Sequence, residues 1–211
     1  MRAPTWTARP TTPCFSNAAA TRCVWSRRRR RTSRSRHRRT SPSRGRCSPG
    51  RWRPTFRVGG GYDAHRFSAG RDLVLCGVRI DHSEGLAGHS DADVAVHALM
   101  DALLGAAGLG DIGELFPDTD PAFEGVSSVL LLERVIAWLV RTGWTVENAD
   151  VTIVCERPRV SGYRLEMRER IAAALGVASD AVSVKATSTE GMGFEGRGEG
   201  IAAHAVCLLR R

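Results

Sequence analysis

Through its first 55 positions the chain has no Asp, no Glu and no Lys, yet it has 16 arginines there. The formal charge of +9 is therefore a property of that tail alone. Residues 56–211 carry 15 basic and 22 acidic side chains, a net charge of −7. Binding to nucleic acid or to an anionic membrane through bulk positive charge is excluded for that part and confined to the tail. Apolar runs long enough to span a bilayer are missing, so no membrane span is expected. The N-terminus lacks the apolar stretch of a secretory leader. The six cysteines make no CxxC pair and no small-domain disulfide framework. Cys76, Cys155 and Cys207 lie in apolar stretches and read as small buried residues. A reducing, cytoplasmic setting is expected.

The tail, residues 1–55, is rich in Arg, Ser, Thr and Pro and has little hydrophobic periodicity. One reading is a disordered basic arm. The preferred reading is an out-of-frame translation. Trp6 to Gly50, back-translated with GC-rich codons and read one base earlier, can give a string ending TVRLVAPAPENLKVTTPADLAVAGALLAG. That string has apolar periodicity and a strand-like VRLV. Third bases are free in such a back-translation, but the first two of most codons are not, which weighs against chance.

Residues 56–211 read as one α/β (α+β) domain, with a mixed sheet packed on one side by helices. Phe56 to Tyr62 is expected as a strand leading into Asp63-Ala64-His65, and Leu73 to Ile80 as a second short strand. Gly85 to Ser90 reads as a loop. Helices are expected at Asp91–Gly108, where Val94, Leu99, Ala102, Leu103 and Ala106 recur near 3.6 spacing, at Ser127–Thr142 and at Leu165–Leu175. Ser90 is placed to cap the first helix. Gly143 and Gly176 end the other two. Asp111 to Pro121 reads as a loop. Further strands are expected at Thr145–Val154, Ala181–Ala186 and Gly200–Leu209.

Asp63 and His65 are two apart, so on extended chain both point to one side. His97 shares a helix face with Asp93 and Asp101. Two His and one Asp make a three-ligand zinc set with an open fourth position, and Asp93 or Asp101 could orient His97 through its second ring nitrogen. Taken alone, the DxH pattern is weak, and a single His on an apolar helix face also suits a satisfied core residue. Lys185 to Glu190 reads KATSTE directly after a strand. Its hydroxyls suit phosphate oxygens and its carboxylate suits Mg²⁺. A polar turn at a strand end fits it equally. Gly191 to Gly200, GMGFEGRGEG, lacks the ending of a Walker A loop and the strand–turn–helix setting of a dinucleotide fingerprint. By itself it indicates a tight loop.

The stretches RVGGGYDAHRF, GHSDADVAVHALMDALLGAAGLGDIGELFPDTDPAF, DVTIVCERPR and VKATSTEGMGFEGRGEGIAAHAV, in this order, resemble the 2-C-methyl-D-erythritol 2,4-cyclodiphosphate synthase family from about Arg57 to Leu209. The resemblance implies that Asp63, His65 and His97 hold zinc, one ion per subunit. It implies that His89 and Ser90 contact the phosphate region, with His89 and Ser188 stabilising the transition state. Asp63, Ala64 and His65 would also border the substrate. Asp111, Ile112, Gly113, Phe116, Pro117, Asp118, Thr119 and Asp120 would surround its ribose and erythritol parts. Cys155, Pro158, Arg159, Val160 and Ser161 would form the cytidine pocket. Ala186, Thr187, Ser188, Thr189 and Glu190 would form the diphosphate site, with Glu190 holding Mg²⁺ or Mn²⁺. Phe194 and Arg197 would add further contacts.

The implied reaction cyclises 4-diphosphocytidyl-2-C-methyl-D-erythritol 2-phosphate and releases CMP, within non-mevalonate isoprenoid biosynthesis. The implied assembly is a homotrimer with active sites between subunits. The out-of-frame string resembles the C-terminal end of the cytidylyltransferase of the same pathway, so a fused or neighbouring gene for that enzyme is expected. Departures from the family pattern are modest. KATSTE stands for KATTTE, Arg159 stands where Lys is common, and the middle glycine of GGG loosens the first strand. Two other readings compete: a trimer that binds isoprenoid diphosphates without catalysis, and a nucleic-acid binder acting through its basic tail.

Overall fold

A computed structural model describes residues 56–211. The reading of residues 1–55 as a disordered arm or an out-of-frame translation lies outside the described residues. The elements in chain order are β1 (Phe56–Ala69), β2 (Leu73–Leu75), β3 (Val78–Ile80), β4 (Glu84–Leu86), α1 (Val94–Ala107), α2 (Ile112–Leu115), α3 (Ser128–Arg141), β5 (Thr145–Val154), α4 (Arg164–Leu175), β6 (Val182–Thr187), α5 (Gly193–Gly196) and β7 (Gly200–Arg210). A five-stranded sheet runs in the order β4-β1-β7-β5-β6. Its pairs are antiparallel except β5 with β6, which is parallel. The α/β class with a mixed sheet is the expected one.

Helix α1 is apolar apart from His97 and Asp101 and is buried along nearly its whole length, as a helix in the middle of a core must be. It packs on β1 and β7 on one side and meets α3 on another. Gly59 and Gly61 make the first contact close: a Cβ on either would stand 1.9 Å from Ala102 O or 2.0 Å from Ala98 O. Gly60, pointing the opposite way, meets only Ala205 O at 4.0 Å. The opposite side of β1 and β7 leaves Val58, Tyr62 and Val206 exposed. No helix among the described residues is long and apolar enough to cross a membrane.

Several local expectations are corrected: Gly85 and Leu86, read as loop, belong to β4, and the Asp111–Pro121 loop contains α2. The first strand does not stop at Tyr62: pairing with β7 continues to Arg66 and then with β4 from Phe67, so Asp63 and His65 lie inside it. Leu73 to Ile80 is a hairpin, not one strand, because Cys76 and Gly77 both take positive φ, 52° and 72°. The cap of α1 is Asp93 rather than Ser90. Its Oδ1 accepts from Val96 N at 3.1 Å and Cys76 N at 2.9 Å, and its Oδ2 accepts from Gly77 N at 2.6 Å. One fully buried carboxylate thus serves the helix start and the hairpin turn together. Burial pushes that carboxyl up to about 6, against the pull of its three amide donors.

Candidate active site

The alternation of β1 turns Asp63 and His65 to the side of the sheet that α1 covers, where His97 waits on the first turn of that helix. His65 Nε2 lies 2.9 Å from Asp63 Oδ2 and 3.1 Å from His97 Nδ1, and His97 Nδ1 lies 3.1 Å from Asp63 Oδ2. Donor atoms around a tetrahedral zinc with bonds of about 2.0 Å stand roughly 3.3 Å apart. The three atoms therefore form one face of such a polyhedron with little adjustment, and the fourth vertex is left to another ligand.

The remaining ring nitrogens are already engaged. His65 Nδ1 donates to Ala87 O at 2.7 Å, which leaves Nε2 as the lone-pair nitrogen. His97 Nε2 faces Ser128 Oγ at 3.0 Å and Ser90 Oγ at 3.1 Å, which leaves Nδ1 toward Asp63. Behind Ser128 stands Asp91, which accepts from its hydroxyl and, at 3.0 Å, from its backbone N–H. This is the carboxylate-backed support that metal-binding imidazoles carry. The carboxylate behind His97 is thus Asp91, acting through Ser128, and neither Asp93 nor Asp101 serves there. Asp93 is spent on three amides, and Asp101 accepts from Ile112 N at 2.9 Å. Nothing in the spacing pointed to Ser128, which reads only as the start of a helix 31 residues away from His97.

Burial pushes the Asp63 carboxyl up, but hydrogen bonds from His65 and His97 outweigh it and hold the group well below the usual carboxylate range. Burial pulls His65 down, and the hydrogen bond and charge of Asp63 more than compensate, so its pKa is raised. The carboxylate and the two imidazoles thus form a compact cluster that favours positive charge between them.

Beside the triad lies a cavity of about 440 Å³ lined by His65, His89, Ser90, His97, Ile112, Gly113, Phe116, Pro117 and Asp118, with Met100, Phe123 and Leu131 as its apolar walls. Several of the residues expected to surround the sugar parts therefore line the cavity beside the triad. His89 Nε2 bonds Asp120 O at 3.0 Å, and Gly125 N donates to His89 O at 2.9 Å, so the loop after α2 is tied to His89. Ser90 is buried with its hydroxyl on His97, Ser128 and Ala92 N, on the side of His97 away from Asp63.

A second group stands at the C-terminal ends of β5 and β6. Cys155 N donates to Thr187 O at 3.1 Å, and Ser188 Oγ donates to Glu190 Oε1 at 2.8 Å. Cys155 is buried, and burial pushes its thiol up to about 11. None of Cys155, Pro158, Arg159, Val160, Ser161 or Ala186–Glu190 lines the cavity at the triad. Phe194 lines a separate cavity of about 560 Å³ with Ala64, His65, Arg66, Phe67 and Glu199. Arg197 is exposed and paired with Glu199 at 2.6 Å.

The family model described as the YgbB family matches residues 56–210. A 2-C-methyl-D-erythritol 2,4-cyclodiphosphate synthase from Methylococcus capsulatus is 58% identical over 156 residues, covering 74% of this chain and 99% of that one. A solved 2C-methyl-D-erythritol-2,4-cyclodiphosphate synthase in its CDP-bound form is 37% identical with a TM-score of 0.67, covering 72% of this chain and 99% of that one. The bifunctional IspDF of Campylobacter jejuni is 41% identical with a TM-score of 0.71, over 74% of this chain and 42% of that one. With the triad, its pocket and these likenesses in agreement, the chain belongs to the YgbB family of 2-C-methyl-D-erythritol 2,4-cyclodiphosphate synthases.

Proposed function

We propose that residues 56–211 convert 4-diphosphocytidyl-2-C-methyl-D-erythritol 2-phosphate to 2-C-methyl-D-erythritol 2,4-cyclodiphosphate and CMP, with zinc at Asp63, His65 and His97. The observation that carries this is the convergence of three lone-pair atoms within 2.9–3.1 Å at the edge of a substrate-sized cavity. Glu190 suits Mg²⁺ or Mn²⁺ arriving with the substrate: it is exposed, and only its Oε1 is engaged among the described residues. The two ions would supply Lewis acidity to the phosphate oxygens and to the departing CMP.

The protein's own part is chiefly positioning, because nucleophile and electrophile belong to one molecule. The 2-phosphate oxygen attacks the β-phosphorus, the bond from that phosphorus to the CMP oxygen breaks, and no covalent enzyme intermediate forms. His89 and Ser188 give hydrogen bonds to charge developing at phosphorus. Asp118 and Ile112 to Gly113 line the cavity where the sugar parts bind, and the Cys155–Ser161 segment takes the cytosine.

A homotrimer completes the site in this reading. Two observations support it. The nucleotide and diphosphate residues stand apart from the lining of the triad cavity. The β1–β7 face also leaves Val58, Tyr62 and Val206 uncovered, which suits burial against further copies. The site works in the cytoplasm in this reading. Residues 1–55 are an out-of-frame piece of a cytidylyltransferase gene, a pairing in keeping with the bifunctional C. jejuni relative. Stop codons in the alternative frame of the gene would end that idea.

The decisive experiment is CMP release from the synthetic substrate, with and without chelator, by the full chain and by residues 56–211. The matching segment spans 99% of the Methylococcus relative, which makes residues 56–211 the piece to express beside the full chain. Chelator-sensitive release by both proteins is expected. Release that survives complete metal removal would sink the metal-centred reading.

A further inference from the structure

Strands β5 and β6 are parallel neighbours whose last paired residues are Val154 and Thr187. One rung beyond, Cys155 N still bonds Thr187 O at 3.1 Å. Then the chains part, one toward the cytidine-side segment and the other into Ser188–Gly191. At this fork stands Glu156, half-buried and without a role so far. Its Oε1 accepts from Thr189 N at 3.1 Å and from Gly191 N at 3.1 Å, while the Thr189 hydroxyl donates to Met192 O. The two amides flank Glu190, whose φ of +54° is a left-handed conformation that a residue with a Cβ rarely adopts. Gly191 follows at φ +80°. Backbone strain of this kind persists only where the surroundings over-determine it. A carboxylate drawing in the N–H groups on both sides supplies that constraint, and charge-assisted bonds are the stronger sort.

We infer that Glu156 is a positioning residue that holds the Ser188–Gly191 loop in the shape in which Glu190 and Ser188 meet the divalent ion and diphosphate, and that ties this loop to the nucleotide side. The inference rests on the synthase reading. Glu156 belongs neither to the triad nor to the lining of its cavity. Its removal therefore leaves zinc in place and acts on the second ion alone.

The test uses the full chain with Glu156→Ala and Glu156→Gln. Mn²⁺ binding in the presence of CDP is followed by electron paramagnetic resonance, and zinc content, melting temperature and the Mg²⁺ dependence of CMP release are measured beside it. In Glu156→Ala, Mn²⁺ binding weakens about 10- to 100-fold, the range for loss of a supporting residue around a metal ligand. The Mg²⁺ concentration for half-maximal release rises and kcat falls, while zinc content and melting temperature stay near wild type. Glu156→Gln recovers most of the loss, because its amide oxygen accepts from the same two N–H groups. Equal Mn²⁺ affinity in wild type and Glu156→Ala overturns the inference. Loss of zinc and of the folded state in step with Mn²⁺ binding also overturns it, since Glu156 would then be a brace of the whole fold. Wild-type protein that binds Mn²⁺ and CDP but releases no CMP would defeat the synthase reading instead, and the Mn²⁺ comparison would still judge Glu156.

Discussion

The carbonyl oxygen of Ala98 stands 2.0 Å from the place where a Cβ on Gly61 would be. That closeness brings α1 down onto β1, and with it His97 onto Asp63 and His65. A side chain at Gly61, or at Gly59 against Ala102, meets helix backbone, which cannot swing aside.

Gly61→Ala and Gly59→Ala are therefore expected to lower stability by about 1–3 kcal/mol or more, the overpacking range, and to lower metal content as the helix is pushed away. Gly60→Ala, on the open side, is expected to change stability by less than about 1 kcal/mol. Thermal unfolding of the three variants checks this.

His97→Ala is expected to abolish bound zinc and CMP release. Ser128→Ala keeps every ligand atom but removes the link from His97 Nε2 to Asp91. Its zinc affinity is expected to fall about 10- to 100-fold. Competition with a chromophoric chelator measures both variants, and wild-type affinity in Ser128→Ala would show that the serine contributes nothing.

Zinc affinity is expected to fall on acidification, and to start falling above the ordinary imidazole value of 6.5, because the pKa of His65 is raised in the metal-free protein. The sign follows from competition: a proton held more tightly by the metal-free site must be displaced at higher pH, so each step down in pH penalises zinc from an earlier point. Chelator competition repeated across the neutral range checks it. An affinity flat down to the ordinary imidazole value would contradict the Asp63–His65 coupling.

Glu190→Gly is expected to raise stability and lower activity together. Glycine relieves a left-handed backbone position worth about 1 kcal/mol, while the carboxylate for the divalent ion is lost. A higher melting temperature with a blunted Mg²⁺ response is the expected signature, and an unchanged Mg²⁺ response would remove Glu190 from the site.

Much of the fold was legible because its causes are local. Thr145–Val154 matches β5 at both ends, and α4 and α3 differ from expectation by a single residue or so, since glycines at 143 and 176 stop them. Two departures trace to distant partners. β1 runs past Tyr62 because β7 and β4 supply its hydrogen bonds. The α1 cap moved to Asp93 because that carboxylate also had a hairpin turn to satisfy.

The same division holds at the site. The sequence by itself determined the chemical inventory: two histidines and an aspartate with the right spacing, a hydroxyl-rich strand end, and an acidic domain behind a basic tail. Residue type and short-range periodicity are written along the chain. Only the tertiary structure decided that Ser128 and Asp91 support His97, that Ser90 turns inward to His97, and that Glu156 binds the amides around Glu190. The bonds made by Ser128 and Glu156 join residues 31 to 37 positions apart. No periodicity reaches across such separations; they exist because folding buries polar groups that must each find a partner.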